Sequence, residues 1–251
     1  FQQRAHSDHS SDVQGDFATI WEAAREGDLN QLQAALKAGA GVDAVSPGGW
    51  TPAMYAAAAG HTAILRTLLA MRCCCNAPEL AQGAPLRPQV RPALGRSPLH
   101  LAAEAGHSEI CALLVRAGGS LLESRSDEGF TALLSASSGG QLPALQTLLS
   151  LRADPQVDVD RSSPSRNVFH LLAAGNSEQH QACIRWLSDF LCQEDPSQAA
   201  ELLERGGKAT GLPRPTEIAK PQGRTYLALV KALRMARRRC DEDFGRGVGG
   251  G

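Results

Sequence analysis

The chain has 251 residues, 43% of them apolar but only 4% aromatic, and this alanine- and leucine-rich material suits packed helices better than a sandwich of strands. A formal net charge of −1 leaves no field of one sign over the surface, which argues against general nucleic-acid binding. Seven cysteines form no even, spaced framework, so a reducing compartment fits better than secretion, and no apolar run reaches the roughly 20 residues that span a bilayer.

In chain order, residues 1–16 are Ser- and Asp-rich without periodicity and are expected to be disordered. Phe1 in place of an initiator methionine reads as the start of a fragment. The first helical stretch is ATIWEAAREGD (18–28), followed by LNQLQAALK (29–37), where Leu alternates with Gln and Lys as on a solvated outer face. TPAMYAAAAGH (51–61) opens the next pair. Thr51 is placed to cap a helix with its side-chain oxygen, Pro52 sits where a missing N–H is tolerated, and Gly60 ends the helix at left-handed dihedrals. TAILRTLLAMRCCCNA (62–77) then carries Leu68 and Leu69 as an expected buried ridge and runs into three adjacent thiols, Cys73, Cys74 and Cys75. Adjacent cysteines do not converge easily on one ion, and no second Cys or His pair is spaced to complete a zinc site, so packing is expected ahead of metal, redox or lipid chemistry.

Residues 78–96 form an insertion with Pro78, Pro85, Pro88 and Pro92; its single P-x-x-P reads as a disordered loop ahead of an SH3-type ligand. SPLHLAAEAGH (97–107) and TALLSASSGGQ (131–141) repeat the phrase of 51–61, each followed by a stretch with paired leucines, Leu113–Leu114 and Leu148–Leu149. Ser97 and Thr131 stand at the capping position, Pro98 at the first helical one, and Gly106 and Gly140 at the helix ends. NVFHLLAAGNS (167–177) is a weaker copy. DPSQAAELLERG (195–206), with an Asp cap, a Pro at the first position and a closing Gly, predicts an extra helix inside a second insertion near 194–212. RPTEIAKPQGR (214–224) is the weakest copy, and TYLALVKALRMARRR (225–239) is expected as a capping helix. Leu227, Val230 and Leu233 lie on one of its stripes, and Arg234, Arg237 and Arg238 on another. Its basic last turn complements the helix dipole, with a nuclear-import or nucleic-acid patch as the alternative, and 240–251 is expected to be a disordered Gly-rich tail.

The copies begin at 18, 51, 97, 131, 167 and 214, so the spacings are 33, 46, 34, 36 and 47. A T-P-L-H-x-A-A-x-x-G-H phrase at a period near 33 resembles the ankyrin repeat, and the resemblance covers about 18–236. It implies an all-α solenoid of about six helix-turn-helix units with loop and β-turn fingers. The units are expected near 18–50, 51–77, 97–130, 131–160, 167–193 and 214–239, within a domain spanning 17–239. It also implies that Ala56, Ala57, Ala102 and Ala103 are small to let repeats approach, and that Cys73 and Cys75 face the stack while Cys74 points outward. His61, His100, His107 and His170 would then hydrogen-bond turn backbone rather than catalyse.

A solenoid of this kind presents loop tips and first helices to a partner. Trp50, Arg96 and Phe130 fall at the tips; Glu22, Tyr55, Leu101, Ser135 and Leu171 fall at the variable groove position. Trp50, Tyr55, Arg96, Leu101, Phe130 and Ser135 are therefore the expected protein-binding residues, since Trp, Tyr and Arg dominate interface hot spots. No catalytic, cofactor or metal residues are assigned. The expectation is a monomeric, non-catalytic interaction module in the cytoplasm, with the nucleus open. Its alternative is a regulatory or targeting segment of a larger enzyme or channel.

Overall fold

The computed structural model describes residues 20–71, 95–117, 122–159, 166–204, 213–219 and 224–247. Among them are thirteen α-helices and no strand: α1 (20–26), α2 (Leu29–Lys37), α3 (Pro52–Ala59), α4 (Thr62–Ala70), α5 (Pro98–Ala105), α6 (Ser108–Ala117), α7 (Ala132–Ser138), α8 (Leu142–Ser150), α9 (Val168–Ala174), α10 (Glu178–Glu194), α11 (Pro196–Glu204), α12 (Pro215–Ala219) and α13 (Arg224–Gly247). The chain divides into two units, Phe1–Pro98 and Leu99–Gly251. Residues 1–16, Cys73, Cys74 and Cys75, and the P-x-x-P segment lie outside the described residues.

In the first unit the T-P phrase acts as its residue types dictate. Thr51 Oγ1 accepts from the Met54 N–H at 3.3 Å, Pro52 opens α3, and Gly60 closes it at φ 87°. Ala56 and Ala57 are fully buried, and α4 packs on α2 and α3 through Ile64, Leu65 and Leu68. Each of these three apolar side chains contributes about 1.5–3 kcal/mol by leaving water. Gly27, at φ 82°, leaves room for the His61 ring; a Cβ there would lie 2.7 Å from it.

The second unit stacks helices in two layers. First helices α7, α9 and α12 lie in one file, α9 touching both neighbours; second helices α6, α8, α10 and α13 form the other. Its core is aliphatic (Leu99, Leu133, Leu134, Leu145, Leu148 and Leu172), with Phe169 the largest buried side chain. The weak copy at 214 thus supplies a first helix, α12, that stacks on α9 as α9 stacks on α7.

The extra helix predicted at 195–206 is α11. Asp195 Oδ1 accepts from the Ser197 and Gln198 N–H groups at 2.9 and 3.2 Å, and Pro196 takes the first position. α11 lies against α10 and α13, and α10 is lengthened to 17 residues, against nine for α8. Asn167 ties this insertion to the repeats. Its Oδ1 caps α9 by accepting from Phe169 N (3.1 Å) and His170 N (3.2 Å), while its Nδ2 donates to Leu202 O at 2.7 Å.

Three expectations need correction. Helix α13 runs on to Gly247, past its expected end at 239, and its Arg237 pairs with Glu204 of α11 at 2.6 Å. Leu227 is 57% exposed, because α13 buries Ala228, Leu229, Ala232 and Ala236 instead of the Leu227 stripe. Of the paired leucines, Leu68, Leu114, Leu148 and Leu149 are buried, whereas Leu69 and Leu113 stay half-exposed at the edge of the helix contact.

Candidate functional site: the fingers and the helix entries behind them

The loops that precede α3 and α7 share one construction. In SPGGW (46–50), Ser46 N–H donates to Trp50 O (2.9 Å), Gly49 N–H to Ser46 O (2.8 Å) and Trp50 N–H to Ser46 Oγ (3.1 Å). In SDEGF (126–130) the same three bonds run from Ser126 to Phe130 O (2.9 Å), Gly129 to Ser126 O (2.9 Å) and Phe130 to Ser126 Oγ (3.2 Å). Gly49 and Gly129 both take φ 81°, a conformation open to glycine, and the pivot serines are buried. At Gly129 a Cβ would also run into Val159 O.

Each finger delivers its last residue to the position before a helix cap, and in the first finger that residue faces the fifth one along. Trp50 precedes Thr51, and its ring meets Tyr55 at 5.1 Å between centroids and 37° between planes, the hydrophobic staple of a helix entry. Tyr55 Oη also lies 3.3 Å from Ser46 Oγ. Both rings remain half-exposed. Phe130 with Ser135, and Arg96 with Leu101, hold the same two places at α7 and α5.

The six expected partner residues are therefore three such pairs, and they do not share one environment. Trp50, Tyr55, Arg96 and Phe130 are half-exposed, but Leu101 is 5% and Ser135 2% exposed. These two cannot line an open surface, because both side chains are buried. Leu171 is buried likewise, while Glu22, on α1, is exposed.

Comparison with known sequences agrees with this architecture. A family model described as Ankyrin repeats (3 copies) matches residues 20–115 and 74–159, together more than half of the chain. The chain belongs to the ankyrin-repeat family. The E3 ubiquitin-protein ligase XBAT33 of Arabidopsis thaliana is 38% identical over 117 residues, which is 45% of this chain and 20% of the relative. The chain thus spans about a fifth of the length of that curated relative.

The ankyrin histidines hold backbone. His61 Nε2–H donates to Arg25 O at 3.0 Å, and His180 Nε2–H to Ser138 O at 3.2 Å, each reaching from a second helix to the end of an earlier first helix. His100 Nε2–H is shared between Phe130 O (2.8 Å) and Ser124 O (3.1 Å), which pins the finger that carries Phe130. His170 Nδ1 accepts from the Asn167 N–H at 3.2 Å, completing a capping box.

Arg125 escaped the sequence reading. Its Nη1 reaches Gly129 O (2.9 Å), Asp158 O (2.6 Å) and Val159 O (3.2 Å), clamping one finger to the loop of the next repeat. Glu123 adds a bond from the Asp154 N–H at 3.0 Å. Burial pushes the Cys111 thiol up to about 12 and Cys183 to about 11. Among the described residues, no helix is long and apolar enough to cross a membrane.

Proposed function

We propose that this ankyrin-repeat chain is a non-catalytic protein-interaction module that holds a partner through its finger ends, with Trp50, Tyr55, Arg96 and Phe130 as anchors. The observation that carries this is the half-exposed Trp50–Tyr55 pair on a finger pinned by three hydrogen bonds at Ser46. A rigid aromatic anchor loses little conformational freedom on docking, and such residues dominate interface energetics. Ankyrin repeats generally serve as interaction modules and are typically non-catalytic, which supports the same assignment. Burial of Cys111 and Cys183 as free thiols fits work in a reducing compartment such as the cytoplasm.

The test is affinity purification with mass spectrometry, comparing wild type with Trp50→Ala/Phe130→Ala. Loss of about 2 kcal/mol, roughly 30-fold in affinity, is expected for the principal partner, with helical circular dichroism retained. An identical set of captured proteins at equal yield refutes the assignment.

A second function, a substrate-holding or targeting segment within a larger protein, is favoured by the plant relative, in which the match is to a fifth of a ubiquitin ligase. Immunoblotting the endogenous protein with an antibody raised against residues 20–71 separates the two. A band far larger than 251 residues can account for supports the second.

A further inference from the structure

Helix α10 outruns its neighbour in the layer of second helices, and the overrun carries an aromatic pair. α8 starts at Leu142 and α10 at Glu178, 36 residues later, so the last residue of α8, Ser150, corresponds in register to Trp186. Residues 187–194 extend α10 past that point, and Phe190 lies one turn into the extension. The Trp186 and Phe190 rings stack at 5.1 Å between centroids and 16° between planes, and both stay half-exposed. The side of α10 that buries Cys183, Ile184, Leu187 and Leu191 is a different one.

Two charges adjoin the rings. Arg185 precedes Trp186 and Asp189 precedes Phe190, both exposed and neither in an ion pair among the described residues. At 3.6 residues per turn the four side chains leave α10 within an arc of about 140°, rings along one edge and charges along the other. Of the helices packed against α10, α8 has no charged residue and α9 no carboxylate, lysine or arginine. Glu201 and Glu204 on α11 are engaged, Glu204 by Arg237, and so is Glu178 at the start of α10. The other exposed charges on or beside these elements are Glu194 one turn past Phe190, Arg152 and Asp154 beyond α8, and Lys231, Arg234 and Arg238 on α13.

A face with two rings along one edge and opposite charges along the other is its own complement. A two-fold axis between two copies sets their α10 helices antiparallel, keeping each edge on its own side while reversing chain direction. Ring edge then meets ring edge, Trp186 opposite the second copy's Phe190. Charged edge meets charged edge, Arg185 opposite the second copy's Asp189, and the axis repeats each contact. Tryptophan and arginine are the residues on which interfaces centre.

We infer that the outer face of α10 is a self-association surface, on which two copies of this chain pair through Arg185, Trp186, Asp189 and Phe190. It is separate from the finger ends and independent of the partner they hold. A crossing of single helices is smaller than standard interfaces of roughly 1,200–2,000 Å², so the dimer is weak and the monomer expected from the sequence is its dilute state.

The experiment is sedimentation equilibrium of the full chain with a thiol reductant, over about a hundredfold range of concentration. The expected result is a mass rising from that of one chain toward that of two. Arg185→Asp and Asp189→Arg, each checked for unchanged helical circular dichroism, should each weaken association about tenfold or more, because the axis sets like charges together twice. Mixed in equal amounts, the two variants should pair with each other more tightly than either pairs with itself, an outcome that a merely structural role for these residues does not produce. Trp186→Ala should also weaken the dimer, and Lys231→Asp on α13 should leave it unchanged. A chain that stays monomeric throughout, or a mixture no more associated than its two components, overturns the inference. So does a loss with Lys231→Asp equal to that with Arg185→Asp, which would mark a general effect of charge.

Discussion

Asn167 has no exposed surface and performs two tasks, capping α9 through Oδ1 and donating from Nδ2 to Leu202 O in α11. Asn167→Ala removes both. Loss of the cap costs about 1 kcal/mol, and stranding a buried carbonyl costs about 1–3, so about 2–4 kcal/mol is expected in total. Asn167→Asp isolates the second task. Aspartate caps as well as asparagine, so a position valued only as a cap would tolerate it. Here the replacement has no donor and sets a carboxylate oxygen where Nδ2 lies 2.7 Å from Leu202 O, so a loss of about 2 kcal/mol or more is expected. Urea unfolding followed by circular dichroism gives the global change. Because stacked repeats open in parts, hydrogen exchange on peptides covering 195–204 should be read alongside it and should show faster exchange in α11. An Asn167→Asp protein within about 0.5 kcal/mol of wild type, with unchanged exchange in α11, refutes the double role.

Arg152 takes φ 70° at the end of α8, where Gly39 takes φ 98° at the end of α2. Removing a left-handed Cβ outweighs the extra freedom of an unfolded glycine, so Arg152→Gly should stabilise by about 0.5–1 kcal/mol; a lower melting temperature would count against this. The Cys111 and Cys183 thiols, raised from 9.0 to about 12 and about 11, keep their protons in the fold where the unfolded chain releases them. The stability they contribute is complete below pH 9 and falls as pH climbs through 11 and 12. At pH 8, alkylation mapped by mass spectrometry should spare both until urea opens the chain, and rapid native labelling of Cys111 would contradict its burial.

The repeat was legible because its chemistry is local. A capping threonine, a proline at the first helical position, a pair of buried alanines and a left-handed glycine recur at α3, and each residue type states its own reason. α11 was legible for the same cause, an Asp-Pro start read within four residues. α13 ran past its expected end at 239, where no apolar stripe announces it in the sequence. Leu101 and Ser135 were misplaced because exposure at that place differs between repeats, Tyr55 being half-exposed and these two buried, which no periodicity records. The staple spacing from Trp50 to Tyr55 was the available signal. Arg125 left none: its three acceptors are main-chain oxygens, two of them more than thirty residues away, and any sequence supplies those.

That same arginine has a wider consequence. Since its grip is on backbone, the pitch between neighbouring tips is independent of what the tips display. Asp127, Glu128 and Gln156, all exposed, are free to be rewritten while Ser126, Gly129 and Arg125 hold the spacing. A lineage, or an engineer, can retarget such a scaffold by editing its fingertips alone, with the chassis left as it stands.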